Sequence, residues 1–258
     1  MKILVIPDSH AKPGVSNERY RWLGAMIEKE RFDCVVDLGD FADMESLSCY
    51  DKGKRSFEGR RLKADIEAAQ EARRLLTEPI RKRQAMQRRD KEKIWKPRLI
   101  ALGGNHEQRI DRMMNDKPEL DGLYTQDVSD AKGQGWEWYP FLTPVTVEGV
   151  TFIHYLPNNI GKPSGVGKYP AAAILREAFE SIVTGHSHIW DIDKKKTASG
   201  RKVFSLVAGC YFEHEEHYAG LSNQNWDRCV TILHDVKDGY AADIERISIE
   251  TVKRKYGS

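Results

Sequence analysis

Side chains that can bind metal ions recur in this sequence directly after short apolar runs. The residues at these places are Asp8, His10, Asp40, Asn105, His106, His186 and His188, and His154 ends a predicted hairpin. Five of the eight histidines are among them. Because the carboxyl ends of strands in an α/β sheet share one edge, residues that are distant in sequence can converge there on one site.

The types of these side chains indicate which chemistry such a site would perform. They are carboxylates, imidazoles and one amide, without cysteine, and sites of this kind suit manganese, iron, zinc, nickel or cobalt. Seven ligands are too many for one tetrahedral zinc ion. They suit two ions about 4 Å apart that share one bridging carboxylate. The sequence therefore predicts a two-metal centre.

The elements that would position these residues begin with a β–α–β unit. Residues 2–7 and 34–38 are typical of buried strands, and residues 18–30 of an amphipathic helix, which implies a parallel pair with a right-handed crossover. Further strands are predicted at 98–102, 181–184, 201–208, 228–236 and 241–249, a hairpin at 144–155, and helices at 107–114 and 170–180.

A long helical region follows the second strand. Residues 59–93 are rich in helix formers and carry an apolar stripe, and we expect one or two helices there, broken or kinked at Pro79. We find no internal repeat, low-complexity tract or interdomain linker. The prediction is a single domain over residues 1–258, with a basic helical insertion at about 45–97.

Charge and composition restrict the class of protein. Hydrophobic content of 40% and charged content of 31% are typical of a globular protein rather than a disordered one. The net charge is +2, yet residues 51–98 contain 17 Lys and Arg against 8 Asp and Glu. Such a basic stretch indicates either an anionic partner or a solvated helix face.

Cysteine spacing and hydropathy bear on the compartment. None of the four cysteines forms a CxxC pair, which argues against a disulfide framework or a zinc knuckle. No targeting segment precedes the first strand, and no run approaches eighteen apolar residues. We expect a cytoplasmic protein with no membrane contact, whose oligomeric state the sequence leaves undetermined.

Five short blocks in this order resemble the calcineurin-like metallophosphoesterase superfamily. They are Asp8-x-His10, Gly39-Asp40-x-x-Asp43, Gly104-Asn105-His106-Glu107, His154 and Gly185-His186-x-His188. Each block alone is common, but five in order, each placed after a predicted strand, form a specific pattern that covers about three-quarters of the chain. The resemblance implies a four-layer α/β/β/α sandwich and hydrolysis of phosphoesters.

The resemblance also implies a role for each matching residue. Asp8, His10 and His188 would hold the first metal, Asn105, His154 and His186 the second, and Asp40 would bridge both. A bridging hydroxide would attack phosphorus in line. His106 would protonate the leaving oxygen as a general acid rather than bind metal, and Asp43 would orient its ring.

The second block departs from one branch of the superfamily. It lacks the Arg-Gly that follows in the Ser/Thr protein phosphatases, which weakens the interpretation of the chain as a protein phosphatase. Arg109, three residues beyond His106, is a candidate replacement for the missing arginine as a phosphate clamp, with a surface helix arginine as the alternative.

The substrate depends on what surrounds the metals. A basic insertion beside a phosphoester-cleaving centre favours DNA, RNA or nucleotides, and we predict a phosphodiesterase, with manganese as the first choice of metal. The alternatives are a phosphomonoesterase of broad specificity and a catalytically inert metal-binding module. The basic residues behind this hypothesis are Arg81, Lys82, Arg83, Arg88 and Arg89.

Overall fold

Two β-sheets form the centre of the fold in the computed structural model, which describes residues 1–50 and 52–257. Within these residues, the first sheet comprises β1 (Ile3–Ile6), β2 (Cys34–Asp37), β3 (Arg98–Leu102), β4 (Glu137–Tyr139), β10 (Cys229–His234) and β11 (Asp243–Ser248). The second comprises β5 (Val145–Val147), β6 (Val150–Phe152), β7 (Ile182–Thr184), β8 (Trp190–Lys196) and β9 (Lys202–Ala208). The strand orders are β11-β10-β1-β2-β3-β4 and β5-β6-β7-β9-β8.

Helices cover the outer face of each sheet. The helices are α1 (Glu18–Glu30), α2 (Leu62–Arg89), α3 (Arg109–Asp116), α4 (Pro170–Ala178) and α5 (Ile249–Tyr256). Side chains alternate along β1, so that Ile3 and Val5 join the core between the sheets while Leu4 joins the core under α1 and α2. On the far side, Ile174 of α4 packs against the second sheet. This arrangement confirms the predicted four-layer α/β/β/α sandwich.

The predicted β–α–β opening and hairpin are confirmed. Strands β1 and β2 pair in parallel and α1 connects them, while β5 and β6 pair antiparallel. Strands β4 and β8 and helix α5 were not predicted. In β8 the sequence is WDIDKKK, and an edge strand with exposed charges has no apolar run by which to recognise it.

The region predicted as a basic insertion contains the crossover between two neighbouring strands. Strands β2 and β3 pair in parallel, and α2 connects them as a single helix that continues through Pro79 without a break. One face of α2, including Leu75 and Leu76, belongs to the core over the first sheet. Helix α2 is therefore an integral layer of the fold and not an arm that projects from it. No helix among the described residues combines the length and apolar content needed to cross a bilayer.

A buried ion pair joins α2 to the central sheet. Arg73 and Asp37 are fully buried, and the Arg73 guanidinium lies 2.5 Å from Asp37 Oδ2. The guanidinium also stacks 3.7 Å from the Phe41 ring centroid and donates to Ser129 Oγ at 3.2 Å. Asp37 ends β2, three residues before Asp40, so this pair supports the loop that carries a predicted metal ligand.

Arg73→Met is expected to lower the free energy of unfolding by about 3–5 kcal/mol, because it leaves the buried Asp37 carboxylate without an opposite charge and with the Gly39 N–H as a neutral donor. Urea denaturation measures this loss. The double variant Arg73→Met/Asp37→Asn should recover part of it, since an amide carries no charge to desolvate. A loss below about 1 kcal/mol in the single variant would contradict this account of the pair.

Candidate metal centre

The predicted ligands lie on loops at the carboxyl ends of strands from both sheets. Strands β1, β2 and β3 are mutually parallel in the first sheet, and β6 and β7 are parallel in the second. The loops after these five strands carry the residues that the sequence singled out, which are Asp8, His10, Asp40, Asn105, His154, His186 and His188. One edge of the sandwich thus collects all seven.

Their ligand atoms form three overlapping groups in the described part of the chain. In each group the atoms lie within 4.8 Å of one another, and the groups are Asp8–His10–His188, His10–Asp40–His106 and Asp40–His154–His186. Asp40 belongs to two groups, with Oδ2 at 3.9 Å from His10 Nε2 and 3.4 Å from His154 Nε2. His154 Nε2 also lies 2.9 Å from Asn105 Oδ1. The structure thus brings the seven residues around Asp40.

Unpaired polar atoms test whether this arrangement fits metal ions. Both ring nitrogens of His10 are buried and have no hydrogen-bond partner, which costs about 1–3 kcal/mol for each group unless a ligand satisfies it. Burial lowers the pKa of His10 and of His186 to about 4, so both imidazoles are neutral near pH 7, the form that binds metal. The donor set therefore fits divalent cations.

The backbone at this edge also holds an unusual conformation. Four of the ligands adopt positive φ angles, which residues other than glycine rarely do, and they are His10 (45°), Asp40 (50°), His186 (69°) and His188 (59°). Such strain concentrates at functional sites, where the surrounding structure enforces it. Two glycines permit the close packing, because a Cβ at Gly104 would collide with the Asp40 carboxylate and one at Gly185 with Asp8.

Electrostatics favour the charged form of the central carboxylates. Burial acts to raise the pKa of Asp40, but the neighbouring histidines outweigh it and hold that pKa well below its ordinary value. The pKa of Asp8 is lowered in the same way, against burial, by His188 and His154. Both oxygens of Asp8 also accept a hydrogen bond from the backbone N–H of His186, at 3.0 and 2.9 Å. The centre therefore offers two anionic ligands.

His106 lies at the rim of this group with its two ring nitrogens in different surroundings. Nδ1 is 3.0 Å from Asp43 Oδ1 and 2.6 Å from the Asp43 carbonyl oxygen, while Nε2 is 3.8 Å from Asp40 Oδ2. Burial opposes the imidazolium, but the Asp40 and Asp43 carboxylates outweigh it and raise the pKa of His106. Nε2 is thus the nitrogen that faces the centre.

Arg109 approaches the same histidine. It is half-buried at the start of α3, where it donates to the carbonyl oxygens of Asp43 at 2.8 Å and Met44 at 3.1 Å. A second guanidinium nitrogen lies 3.1 Å from His106 Nε2. Arg109 is therefore at the centre rather than on the outer surface of α3, although its guanidinium is occupied by protein groups.

Glu107 is a buried residue whose part in the site the sequence analysis missed. Its Oε2 accepts the backbone N–H groups of Asp40 and Gly104, and its Oε1 accepts that of Ala42. Burial, reinforced by the charge of Asp40, raises the pKa of Glu107 to about 7. It fastens the loops after β2 and β3 to each other. Its place in the third block was the available signal.

A further cluster lies beside Asp43, at two residues from the run 213–217 where the sequence offers a minor alternative metal site. Asp43, His214 and Glu216 could together hold a cation, but the Lys12 ammonium already lies 3.3 Å from Asp43 Oδ2 and 2.9 Å from Glu216 Oε1. Burial acts against that charge, yet the carboxylates raise the pKa of Lys12. The lysine therefore takes the place of a cation in this group.

Two adjoining cavities form a cleft over the centre. One, of about 560 Å³, is lined by Asn105, His106 and His186 together with Arg60. The other, of about 350 Å³, shares Asn105 and Arg109 with it and continues to side chains of positive charge, which are Lys52, Arg112 and Lys117. An anionic substrate at the centre could thus extend along a cationic wall.

The basic residues of α2 lie elsewhere. Ser46, near the site, donates its backbone N–H to the Asp65 carboxylate at the start of α2, whereas Gln87 at the far end of α2 bonds to the backbone of residues 93–95. Trp95 in turn donates to Phe32, just before β2. The 28 residues of α2 span about 42 Å at about 1.5 Å each. Arginines 81–89 therefore lie at the opposite edge of the sheet, away from the centre, an orientation that the sequence leaves undetermined.

Comparison with known families decides the identity of the fold. A family model described as calcineurin-like phosphoesterase matches residues 1–198. The chain belongs to the calcineurin-like phosphoesterase family. The predicted resemblance is confirmed. As a member of this metal-dependent family, the calcineurin-like phosphoesterase described here is a hydrolase of phosphoester bonds, and its clustered Asp and His residues can bind metal ions.

Solved structures similar to this calcineurin-like phosphoesterase include YfcE, a phosphoesterase from E. coli. The identity is 12%, the alignment covers 96% of this chain and 100% of that chain, and the TM-score is 0.38. A second solved structure is similar at 12% identity over 96% of this chain and 98% of its own, with a TM-score of 0.34. No curated protein sequence matches the chain.

Proposed function

We propose that this chain is a two-metal phosphodiesterase that acts on nucleic acids or nucleotides. The observation that carries the proposal is the overlap of three ligand groups, two of which contain Asp40. One ion would bind Asp8, His10, His188 and Asp40, and the other Asp40, Asn105, His154 and His186, with Mn²⁺ as the first choice among the transition metals. Bound ions would polarise the phosphoryl group and lower the pKa of water near it.

The residues of the chain itself would handle the leaving group. His106 Nδ1 is held by Asp43, and Nε2, which faces the centre, lies 3.1 Å from the Arg109 guanidinium. Because arginine only donates hydrogen bonds, Nε2 would carry a transferable proton once Arg109 has turned from it to a phosphoryl oxygen of the substrate. That proton would pass to the leaving oxygen as the bond to phosphorus breaks. Arg109, 3.1 Å from Nε2, would bind a non-bridging phosphoryl oxygen there through charge-assisted hydrogen bonds and so keep the ester next to His106.

The cleft supports a diester as the substrate. A phosphomonoester ends at the reacting phosphorus, whereas a polynucleotide continues on both sides of it. Arg112, Lys117 and Lys52 line the cavity next to Arg109 and would bind a flanking phosphate. These residues take over the role that the sequence suggested for arginines 81–89.

Substrate comparison with the Mn²⁺-loaded protein tests this function. We expect turnover of bis-(p-nitrophenyl) phosphate and of a single-stranded oligodeoxynucleotide. In Arg112→Gln/Lys117→Gln, KM for the oligodeoxynucleotide should rise about 10-fold, because both side chains are exposed and the loss of two contacts of roughly 0.7 kcal/mol each amounts to about 1.4 kcal/mol. The small diester, which does not reach that cavity, should be much less affected.

Arg81→Gln/Arg88→Gln is the matched control, since it removes the same charge at the opposite edge of the sheet. An equal rise in KM for the two double variants would show a general effect of net charge and would contradict substrate binding along the cleft. Turnover of p-nitrophenyl phosphate alone would identify a phosphomonoesterase. Binding of fewer than two ions without any turnover would identify an inert module.

A further inference from the structure

Lys12 occupies a position between the candidate centre and a ring of carboxylates. It follows His10 by two residues in the loop after β1, and its side chain is only 16% exposed. The ammonium lies 2.9 Å from Glu216 Oε1, 3.3 Å from Asp43 Oδ2 and 3.8 Å from Glu45 Oε2. A half-enclosed ammonium with three carboxylates is held in one place by charge on several sides.

The two carboxylate oxygens of Asp43 contact different partners. Oδ2 faces Lys12, while Oδ1 lies 3.0 Å from His106 Nδ1. Oδ1 is also 3.5 Å from His10 Nδ1, but that nitrogen has no hydrogen-bond partner, so His106 is the ring that Oδ1 holds. A carboxylate held at one oxygen has its plane fixed, which directs the other oxygen to one ring.

We propose that Lys12 is a positioning residue for His106, which acts by holding the Asp43 carboxylate so that Oδ1 orients the ring. This inference rests on the proposed function, because it assigns His106 to leaving-group protonation. Glu216 anchors Lys12 from the other side, and His214 Nε2 lies 2.9 Å from the same Glu216 oxygen. The chain His214–Glu216–Lys12–Asp43–His106 therefore links residues far apart in sequence to one catalytic ring.

This assignment also explains why the Asp43–His214–Glu216 group would not hold a third metal ion. Its Asp43 and Glu216 oxygens are already paired with the same ammonium. A divalent ion would have to displace a lysine that is tethered covalently two residues from His10. The Lys12 ammonium thus provides the positive charge in this group, and no metal ion has to bind from solution to supply it.

Two substrates with the same phosphoryl group and different leaving groups test the proposal. Thymidine 5′-p-nitrophenyl phosphate releases a p-nitrophenolate, which needs little protonation, and a thymidine dinucleotide releases an alkoxide, which needs it. With Lys12→Met in the Mn²⁺-loaded protein, kcat for the dinucleotide should fall about 10–100-fold, as for other outer partners of a site. The fall for the p-nitrophenyl ester should be several-fold smaller, with metal content unchanged.

A double-mutant cycle separates positioning from a structural tether. In His106→Ala, the further change Lys12→Met should have no added effect that depends on the leaving group, because Lys12 acts through the missing ring. Lys12→Arg should restore much of the dinucleotide turnover, since a guanidinium can span Asp43 and Glu216, and Lys12→Gln provides a neutral variant if Lys12→Met fails to fold.

Equal losses on the two substrates, or additive losses in the cycle, would overturn the proposal and leave Lys12 as a tether between loops. The wild-type protein and His106→Ala provide the reference for the proposed function. If the wild type turned over neither substrate, that function would fail, and the inference with it. If the wild type turned over both substrates and Lys12→Met left the ratio of kcat for the dinucleotide to kcat for the p-nitrophenyl ester unchanged, the inference alone would be refuted.

Discussion

Asp40→Asn is expected to abolish stable occupancy of the two-metal centre and turnover with it. Asp40 is buried, and its Oδ2 is within 3.4–3.9 Å of nitrogens of His154 and His10, which belong to the two different ligand groups. Asparagine keeps the shape but offers one neutral oxygen in place of an anionic carboxylate. Loss of an outer partner costs 10–100-fold in metal affinity, so loss of this shared ligand should cost more than about 100-fold.

Metal analysis after Mn²⁺ loading and gel filtration measures the effect, together with kcat on bis-(p-nitrophenyl) phosphate. Asp238→Asn is a matched control, because Asp238 has the same positive φ of 50° as Asp40 but a side chain 86% exposed. Asparagine tolerates this backbone conformation, so neither variant should be strained. Two ions retained by Asp40→Asn would exclude a bridging role for this carboxylate.

The positions of the loops that carry the proposed metal ligands followed from the sequence because two simple rules apply to them. Buried parallel strands leave continuous apolar runs, such as KILVIP before Asp8, and their carboxyl ends share an edge. The polar residue after each run therefore had to lie at that edge. The side chains of Asp8, Asp40 and His186 do lie together there.

The location of the basic residues could not be obtained in the same way. Charge counts along residues 51–98 carry no information on which edge of a sheet a helix end reaches. Only the pairing of β2 with β3 makes α2 a crossover, which begins near the centre and ends at the other edge. The burial of Arg73 also escapes a composition argument, because an arginine is rarely buried unless it is paired, as here with Asp37.

Contacts that support the site from residues distant in sequence could not be predicted either. Glu107 reaches the backbone of a loop 67 residues earlier, and Lys12 reaches Glu216 across 204 residues. Local patterns of hydrophobicity report on the element that contains a residue, not on the loop that its side chain meets. Such contacts become visible only when the strand order is known.

His106→Ala is the second substitution with a large expected effect, and it separates two roles that the geometry allows. His106 belongs to a group with His10 and Asp40 that could hold a metal, yet its Nδ1 is committed to Asp43 and its Nε2 is 3.8 Å from Asp40 Oδ2. If it is a general acid, kcat for a dinucleotide should fall on the order of 10²–10⁴-fold, and less for p-nitrophenyl esters. Metal content should be nearly unchanged.

The contrast with Asp40→Asn makes the division between ligand and acid measurable. Both substitutions remove a buried polar group from the same cluster, but Asp40 is shared by the groups His10–Asp40–His106 and Asp40–His154–His186, whereas His106 belongs to the first of these alone. His234→Ala, at a histidine at the end of β10 whose ring bonds to Glu245 of β11, controls for loss of an imidazole. If His106→Ala lost both ions, and if its kcat fell equally for the dinucleotide and for p-nitrophenyl esters, His106 would be a metal ligand. The leaving oxygen would then need another source for its proton.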